Sequence, residues 1–437
     1  MAFGRSIVRR LASVRPIDCP NRLNKPNLPT AEPWIRSLRD VAERLEADWI
    51  AVRRHLHRHP ELSGDERATT QYLAAATERL DLPTRVIGEG RGLTVDFVSS
   101  AELAEANRIA LRGDIDALPI EDHKAVDYRS TCPGVMHACG HDVHATIVLG
   151  AIQILTTMHA EDSLPWPIAT RAIFQPAEEI AEGAQYMIQH HALRGVGAIL
   201  ALHVDPTRTV GCIGLRAGLL TAACDIFHVE IVGKGGHGAR PHQCVDPIDA
   251  CTSWVQTAYR RVGRVIDPIK TVVMSVGRIE AGHSANVIPD VAHLSGSLRS
   301  LDKSSRQTAL DTLHSVGRSI ADQTGCEVKL RLGMSAPAVN NDGGLIRLLS
   351  DSAVQAIGPA APDPIAHPSM GSEDFSYYLD HVPGAMFRLG VAGPQVGHEP
   401  LHTPAFDVDE RCLQVGATLL AAAVIKHFAP PPSQRAS

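Results

Sequence analysis

Four short apolar runs constrain this chain more than any other feature, because each has the length of a buried strand and each ends beside residues that bind cations. They are RIALRG (residues 108–113), ATRAIFQ (169–175), AILALHV (198–204) and AMFRLGV (385–391). Continuous apolar stretches of this length fit strands covered on both faces. Helical patterns such as HATIVLGAIQIL lie between some of them. That alternation predicts an α/β domain with a mostly parallel sheet and helices on both faces.

Functional groups in open α/β sheets collect beyond the carboxyl ends of the strands. Asp114 and Asp116 in GDIDALP follow the first run, and Glu178 and Glu179 in QPAEE follow the second. His203 lies in the third, and the fourth leads to His398 and His402 in GHEPLHTPAF. The stretch GVMHACGHDVHA (134–145), entering a helix near Asp142, adds Cys139 and His141. Imidazoles and carboxylates with one thiolate suit zinc, or a neighbouring manganese, cobalt or nickel, whereas calcium and magnesium want oxygen ligands. Taken singly, Cys139 reads as a small buried hydrophobe, and the paired glutamates read as a solvated helix start behind Pro176. Their joint placement at one sheet edge favours a metal site.

Between Leu215 and Ser335 the pattern becomes strand CDIFHVEIVG, helix DPIDACTSWVQTAYRRV, strands KTVVMSVGRIE and VAHLSGSLRSL, helix KSSRQTALDTLHSVGRSIADQ and strand CEVKLRLGM. This β-α-β-β-α-β order is that of a ferredoxin-like α+β domain. Apolar runs and ligand-type residues resume after it, so it is an insertion. The predicted organisation is an extension over 1–32, a metal-binding catalytic domain over 33–215 and 336–430, and a lid or dimerisation domain over 216–335. The surroundings of Gly218 and Gly333 would supply hinges.

With 42 Lys and Arg against 48 Asp and Glu, the formal charge of −6 offers no field for nucleic acid. The nine cysteines include no C-x-x-C pair, which disfavours a disulfide framework and fits a reducing, cytoplasmic setting. No run approaches the ~18 apolar residues that would span a membrane. The first seventeen residues carry Arg5, Arg9, Arg10 and Arg15 and no acid, the character of an organellar presequence or of an irregular extension. His55, His57 and His59 read as packing and capping residues, His144 and His398 have no assigned role, and Glu373 lines the pocket.

The motifs RGDIDALPI, GVMHACGHDVHA, FQPAEE, ALHVDP, GKGGHGARPH, ANVIPD, MGSEDF and LHTPAFDVDE, in order from about Arg53 to Glu410, resemble the metal-dependent amidohydrolase branch of the carboxypeptidase and aminoacylase-type dinuclear zinc metallopeptidases. Hippurate hydrolases, N-acyl-amino-acid amidohydrolases and auxin-conjugate hydrolases belong to that branch. The resemblance implies two divalent metal ions held by Cys139, His141, Glu179, His203 and His402, with the thiolate between them. Other branches place an aspartate there, so their metal preference need not transfer. It further implies Asp116 behind a ligand imidazole, Glu178 as general base for a metal-activated water, and His237 reaching the site across a dimer interface with Asn286 beside it. Arg299 could clamp the substrate's free carboxylate.

The implied reaction is hydrolysis of the amide bond of N-acyl or N-aroyl amino acids, by a homodimer or higher oligomer without nucleic-acid or membrane partners. A dipeptidase or carboxypeptidase would share the mechanism. The competing readings are an amidase using Cys139 as nucleophile, which chelation would not inhibit, and a non-enzymatic scaffold that has kept the fold.

Overall fold

The computed structural model describes residues 32–103 and 107–431, so the basic N-terminal stretch lies outside the described residues. The main sheet has eight strands with a parallel centre. Arg108–Asp114 lies between Ala169–Gln175 and Val196–Thr209, and Gly384–Ala392 runs parallel to the outer side of Val196–Thr209. These are the four apolar runs, and they bury nearly every side chain because helices cover both faces. Antiparallel pairs appear towards the edges, where Leu93–Val98 joins Ala169–Gln175 and Ile213–Leu215 joins Gly384–Ala392.

One face carries the larger core, formed with helices Pro33–Arg58, His141–Ala160, Gly343–Ala356 and Arg411–His427. The helix His141–Ala160 is apolar nearly all round, as a central helix must be. It is the one helix among the described residues long and apolar enough to cross a bilayer, a length the sequence reading denied to any run. Here that apolar surface packs inside the protein. Gly150 makes the packing possible, since a Cβ there would lie 3.0 Å from the Trp49 ring and 3.1 Å from Ala417. The other face carries a smaller core under Gly183–Gln189 and the 3₁₀ segment Asp374–Asp380.

The inserted unit forms its own sheet, in the order Val272–Ala281, Val291–Ser300, Ala223–Val232, Glu327–Ala336, with all neighbours antiparallel. Helices Pro247–Val265 and Lys303–Thr324 cover one face around Phe227, Trp254 and Leu313. Both helices start at an aspartate whose carboxylate accepts backbone N–H groups: Asp246 from Ile248 and Asp249, and Asp302 from Ser305. Gly218 has φ 76° at the entry to the insert. Gly333 instead lies inside the strand Glu327–Ala336, where the pairing shifts register between Leu332 and Ser335. Seven described cysteines, Cys139 among them, are free thiols.

Candidate metal centre

The carboxyl ends of the central strands and the start of helix His141–Ala160 meet at one place. Gly140 makes the turn into that helix with φ 82°, and a Cβ on it would meet Val204 Cγ2 at 2.7 Å. Only glycine accepts both the left-handed backbone and that approach, so Cys139 and His141 converge on one point. His402 is itself left-handed, with φ 61°, and its N–H donates to Ala138 O at 2.8 Å, which ties the distant loop to the residue before Cys139.

The donor atoms of Cys139, His141 and His203 lie within 4.8 Å of one another, and so do those of Cys139, Glu179 and His402. Cys139 Sγ is 3.5 Å from His203 Nε2 and 3.3 Å from His402 Nε2. Glu179 Oε1 is 3.5 Å from His402 Nε2 and 3.8 Å from His141 Nε2. Bonds of roughly 2.0–2.3 Å to a tetrahedral cation put its ligands about 3.3–3.8 Å apart. Buried His141 Nε2 and Glu179 Oε1 have no hydrogen-bond partner among the described residues. Two donor sets sharing one thiolate, with orphaned donor atoms aimed inwards, fit a pair of divalent cations. The structure therefore brings together Cys139, His141, Glu179, His203 and His402.

The neighbouring groups fix which nitrogen faces the cluster. His141 Nδ1 donates to Asp116, 3.0 Å from Oδ1 and 2.9 Å from the carbonyl oxygen, leaving Nε2 free. Asp116 Oδ2 accepts from Ser63 Oγ at 2.6 Å and from Glu179 N at 3.0 Å, so one carboxylate steadies two of the five groups. His203 Nδ1 donates to Val204 O at 2.8 Å, and burial followed by the Arg388 charge holds its imidazole well below the ordinary range, in the neutral form a ligand needs. His144 has both nitrogens engaged: Nδ1 donates to Asp114 Oδ1 at 2.6 Å and Nε2 accepts Val204 N–H at 2.9 Å. It braces Asp114 against the strand carrying His203, a role its spacing in sequence did not reveal.

Glu178 bridges the cluster and an acidic nest: its Oε2 lies 3.9 Å from His141 Nε2, and its carboxylate also groups with Glu373 and Asp374. Arg112, buried in the first run, neutralises part of that charge through Glu373 at 3.0 Å, Asp374 at 2.8 Å and Asp114 at 2.6 Å. Burial first, then Glu373 and Asp374, push the Glu178 carboxyl well above its usual range.

The two glutamates stand on a turn, not on the helix start that Pro176 suggested. Ala177 is held at φ 53°. Glu66 Oε1 accepts the N–H of Ala177 at 2.7 Å and of Gly64 at 2.9 Å, pinning that conformation. A left-handed alanine costs roughly 1–2 kcal/mol, so without Glu66 the turn should relax. We expect Glu66→Ala to lower kcat by about 10-fold or more, and Glu66→Gln, which keeps the acceptor oxygen, to restore most of it; steady-state kinetics beside a metal assay on both variants checks this, about 10-fold being ~1.4 kcal/mol.

The remaining candidates lie on the insert. His237 is exposed on the short strand Gly236–His237, paired with Val287–Ile288. Gly238 N–H donates to Asn286 O at 2.9 Å, so His237 and Asn286 are neighbours, but no hydrogen bond of either reaches the five groups within this chain. Arg299 Nη1 donates to Met370 O at 2.6 Å and thereby grips the segment that leads to Glu373. His57, read as a packing residue, is buried and polar, with Nδ1 2.8 Å from Asp142 Oδ2 and Nε2 2.8 Å from Lys124 Nζ. Sequence reasoning also passed over Arg112, Arg388 and Glu66, because single polar residues inside apolar runs or after a helix carry no spacing signal.

Residues 110–426 match the profile of peptidase family M20/M25/M40. N-acetyl-L-cysteine deacetylase of Bacillus subtilis is 36% identical over 373 residues, covering 84% of this chain and 85% of that one. Thermostable carboxypeptidase 1 of Saccharolobus solfataricus is 34% identical over 399 residues, covering 90% and 98%. Among solved structures, a dinuclear metal-binding peptidase of the M20 family from Bacillus subtilis superposes with a TM-score of 0.74 at 32% identity, covering 88% of this chain and 99% of that one.

Proposed function

We propose, for a chain that belongs to peptidase family M20/M25/M40, that it hydrolyses the amide bond of N-acyl amino acids, releasing a carboxylic acid and a free amino acid. The observation that carries this reading is the Glu178 carboxyl, 3.9 Å from His141 Nε2, beside two donor sets that share Cys139. The deacetylase name of a relative 36% identical supports the substrate class.

Two divalent cations, drawn from zinc, manganese, cobalt and nickel, would polarise the amide carbonyl and acidify a water. The chain's own groups supply the rest. Glu179 is a ligand while Glu178, one residue away on the same strained turn, takes the proton of the attacking water and returns it to the leaving nitrogen. Asp116 holds His141 in the tautomer that presents Nε2. His237 and Asn286, exposed on the insert, would act on the carbonyl oxygen of a second subunit's substrate in a homodimer. Arg299 is the insert's candidate for the substrate carboxylate.

A cysteine-nucleophile amidase fits less well. Cys139 Sγ belongs to both donor sets, 3.5 Å from His203 Nε2 and 3.3 Å from His402 Nε2, the place of a shared ligand. A carboxypeptidase is the second reading, on the strength of the relative from Saccharolobus solfataricus.

The test is a panel of acetyl-, benzoyl- and indoleacetyl-amino acids beside simple dipeptides, assayed with metal-loaded protein. We expect turnover on the acylated substrates, lost on chelation and restored by added metal. Turnover confined to peptides, or full activity after chelation, would refute the proposal.

A further inference from the structure

Arg388 is the one polar residue within the fourth apolar run, AMFRLGV. Its strand pairs it with His203 on one side and Gly214 on the other. Residues paired in register point to the same face of a sheet, so Arg388 and His203 stand side by side. The alternation along the strand agrees: Phe387 and Leu389 enter the larger core, while Met386 enters the smaller one on the opposite face. Gly214 leaves the room, since a Cβ there would lie 3.0 Å from Arg388 Cβ and 2.8 Å from Arg208 Nε.

The buried arginines Arg53 and Arg112 show by contrast what is unusual about half-buried Arg388. Arg53 has Asp142, Asp407 and Glu410 within ion-pair distance, and Arg112 has Asp114, Glu373 and Asp374. Arg388 makes neither a hydrogen bond nor an ion pair with any described residue. Acids nearby are already engaged, Asp205 and Asp363 by Arg208, and Glu373 by Arg112. Burial lowers the Arg388 pKa, and its charge in turn acts on His203. Arg388 is half-buried, and a partly desolvated cation without a protein partner is stabilised by an anion that reaches it. A guanidinium fork matches a carboxylate with two parallel hydrogen bonds.

We propose that Arg388 binds the free carboxylate of the substrate next to His203, so that the chain selects N-acyl amino acids over neutral amides of the same acyl group. This rests on the hydrolytic reading above and names its specificity-determining residue. It also moves the carboxylate contact from Arg299, whose Nη1 is taken by Met370 O, to the main sheet.

The test compares Arg388→Gln and Arg388→Lys with the parent on an N-acetyl amino acid and on its carboxamide, each with metal content measured. Binding of both compounds is also measured by calorimetry in a Glu178→Gln background, which removes the assigned base. We expect Arg388→Gln to weaken the acid by about 100-fold in KM and Kd, with kcat within a few-fold, and to leave the carboxamide nearly unchanged; two charge-assisted hydrogen bonds are of this order. Arg388→Lys should recover part of the loss, because a point charge cannot grip both oxygens. Equal loss for acid and carboxamide, loss confined to kcat, or the acid-specific loss appearing in Arg299→Gln instead, would overturn the assignment. If no preparation, the parent included, turns over any N-acyl amino acid, the proposed reaction fails, and calorimetry still reports on Arg388.

Discussion

Glu178→Gln should lower kcat by about 10³-fold or more while bound metal stays at the parent level, a magnitude within the range for a lost general base. The reason lies in how differently the two adjacent glutamates are placed. Both carboxylates approach His141 Nε2, but Glu179 Oε1 also faces His402 Nε2, whereas Glu178 groups with Glu373 and Asp374. Those acids and burial keep a proton on Glu178 more readily than on an ordinary carboxyl, which suits a group that must accept a proton and then deliver it. An amide in its place preserves size and most hydrogen bonding but can do neither. Single-turnover kinetics with metal analysis checks the split. A Glu178→Gln protein that has lost its metal would make Glu178 a ligand, and one that keeps parent turnover would remove it from the chemistry.

Replacing Cys139 should have the larger effect on the site itself. Its sulfur belongs to both donor sets, so Cys139→Ala removes a ligand from each at once. Loss of a partner behind a ligand typically weakens metal binding 10- to 100-fold, and loss of a shared ligand should exceed that and abolish detectable turnover. Cys139→Asp is the informative companion, since a carboxylate can also bridge; it should keep two ions but shift preference away from soft towards harder ones. Titrations with zinc and manganese, read by calorimetry, compare the three proteins. If Cys139→Ala retains two tightly bound ions, the thiolate is not shared. The thiol is free, so neither substitution breaks a disulfide.

Some of this was legible in the sequence for a clear physical reason. A strand buried on both faces is mostly apolar and carries its ligand chemistry chiefly beyond its end; Asp116 and Glu179 follow that rule, whereas His203 lies inside the strand Val196–Thr209. The ferredoxin-like insert was legible because each of its elements has its own period and each helix its own capping aspartate, Asp246 and Asp302. What stayed hidden depends on pairing between distant strands. Arg388 looks like an interruption of an apolar run until register sets it beside His203. Glu66 looks like a surface residue near a helix start until its carboxylate is found on the N–H of Ala177. The left-handed alanine that lifts Glu178 out of a helical path has no signature at all, since alanine favours the helix that the turn avoids. His237 is the opposite case: its motif stands out, but within one chain it remains exposed on the insert, with no hydrogen bond to the five groups.

The most direct test of the paired-cation site is anomalous diffraction from crystals of metal-loaded, active protein, collected on both sides of the metal absorption edge. Two peaks about 3.5–4 Å apart, both in bonding contact with Cys139 Sγ and one of them also with Glu179 and His402, are the predicted result. A single peak that leaves Cys139 uncoordinated, or full activity from crystals with no anomalous signal at these five residues, would contradict it.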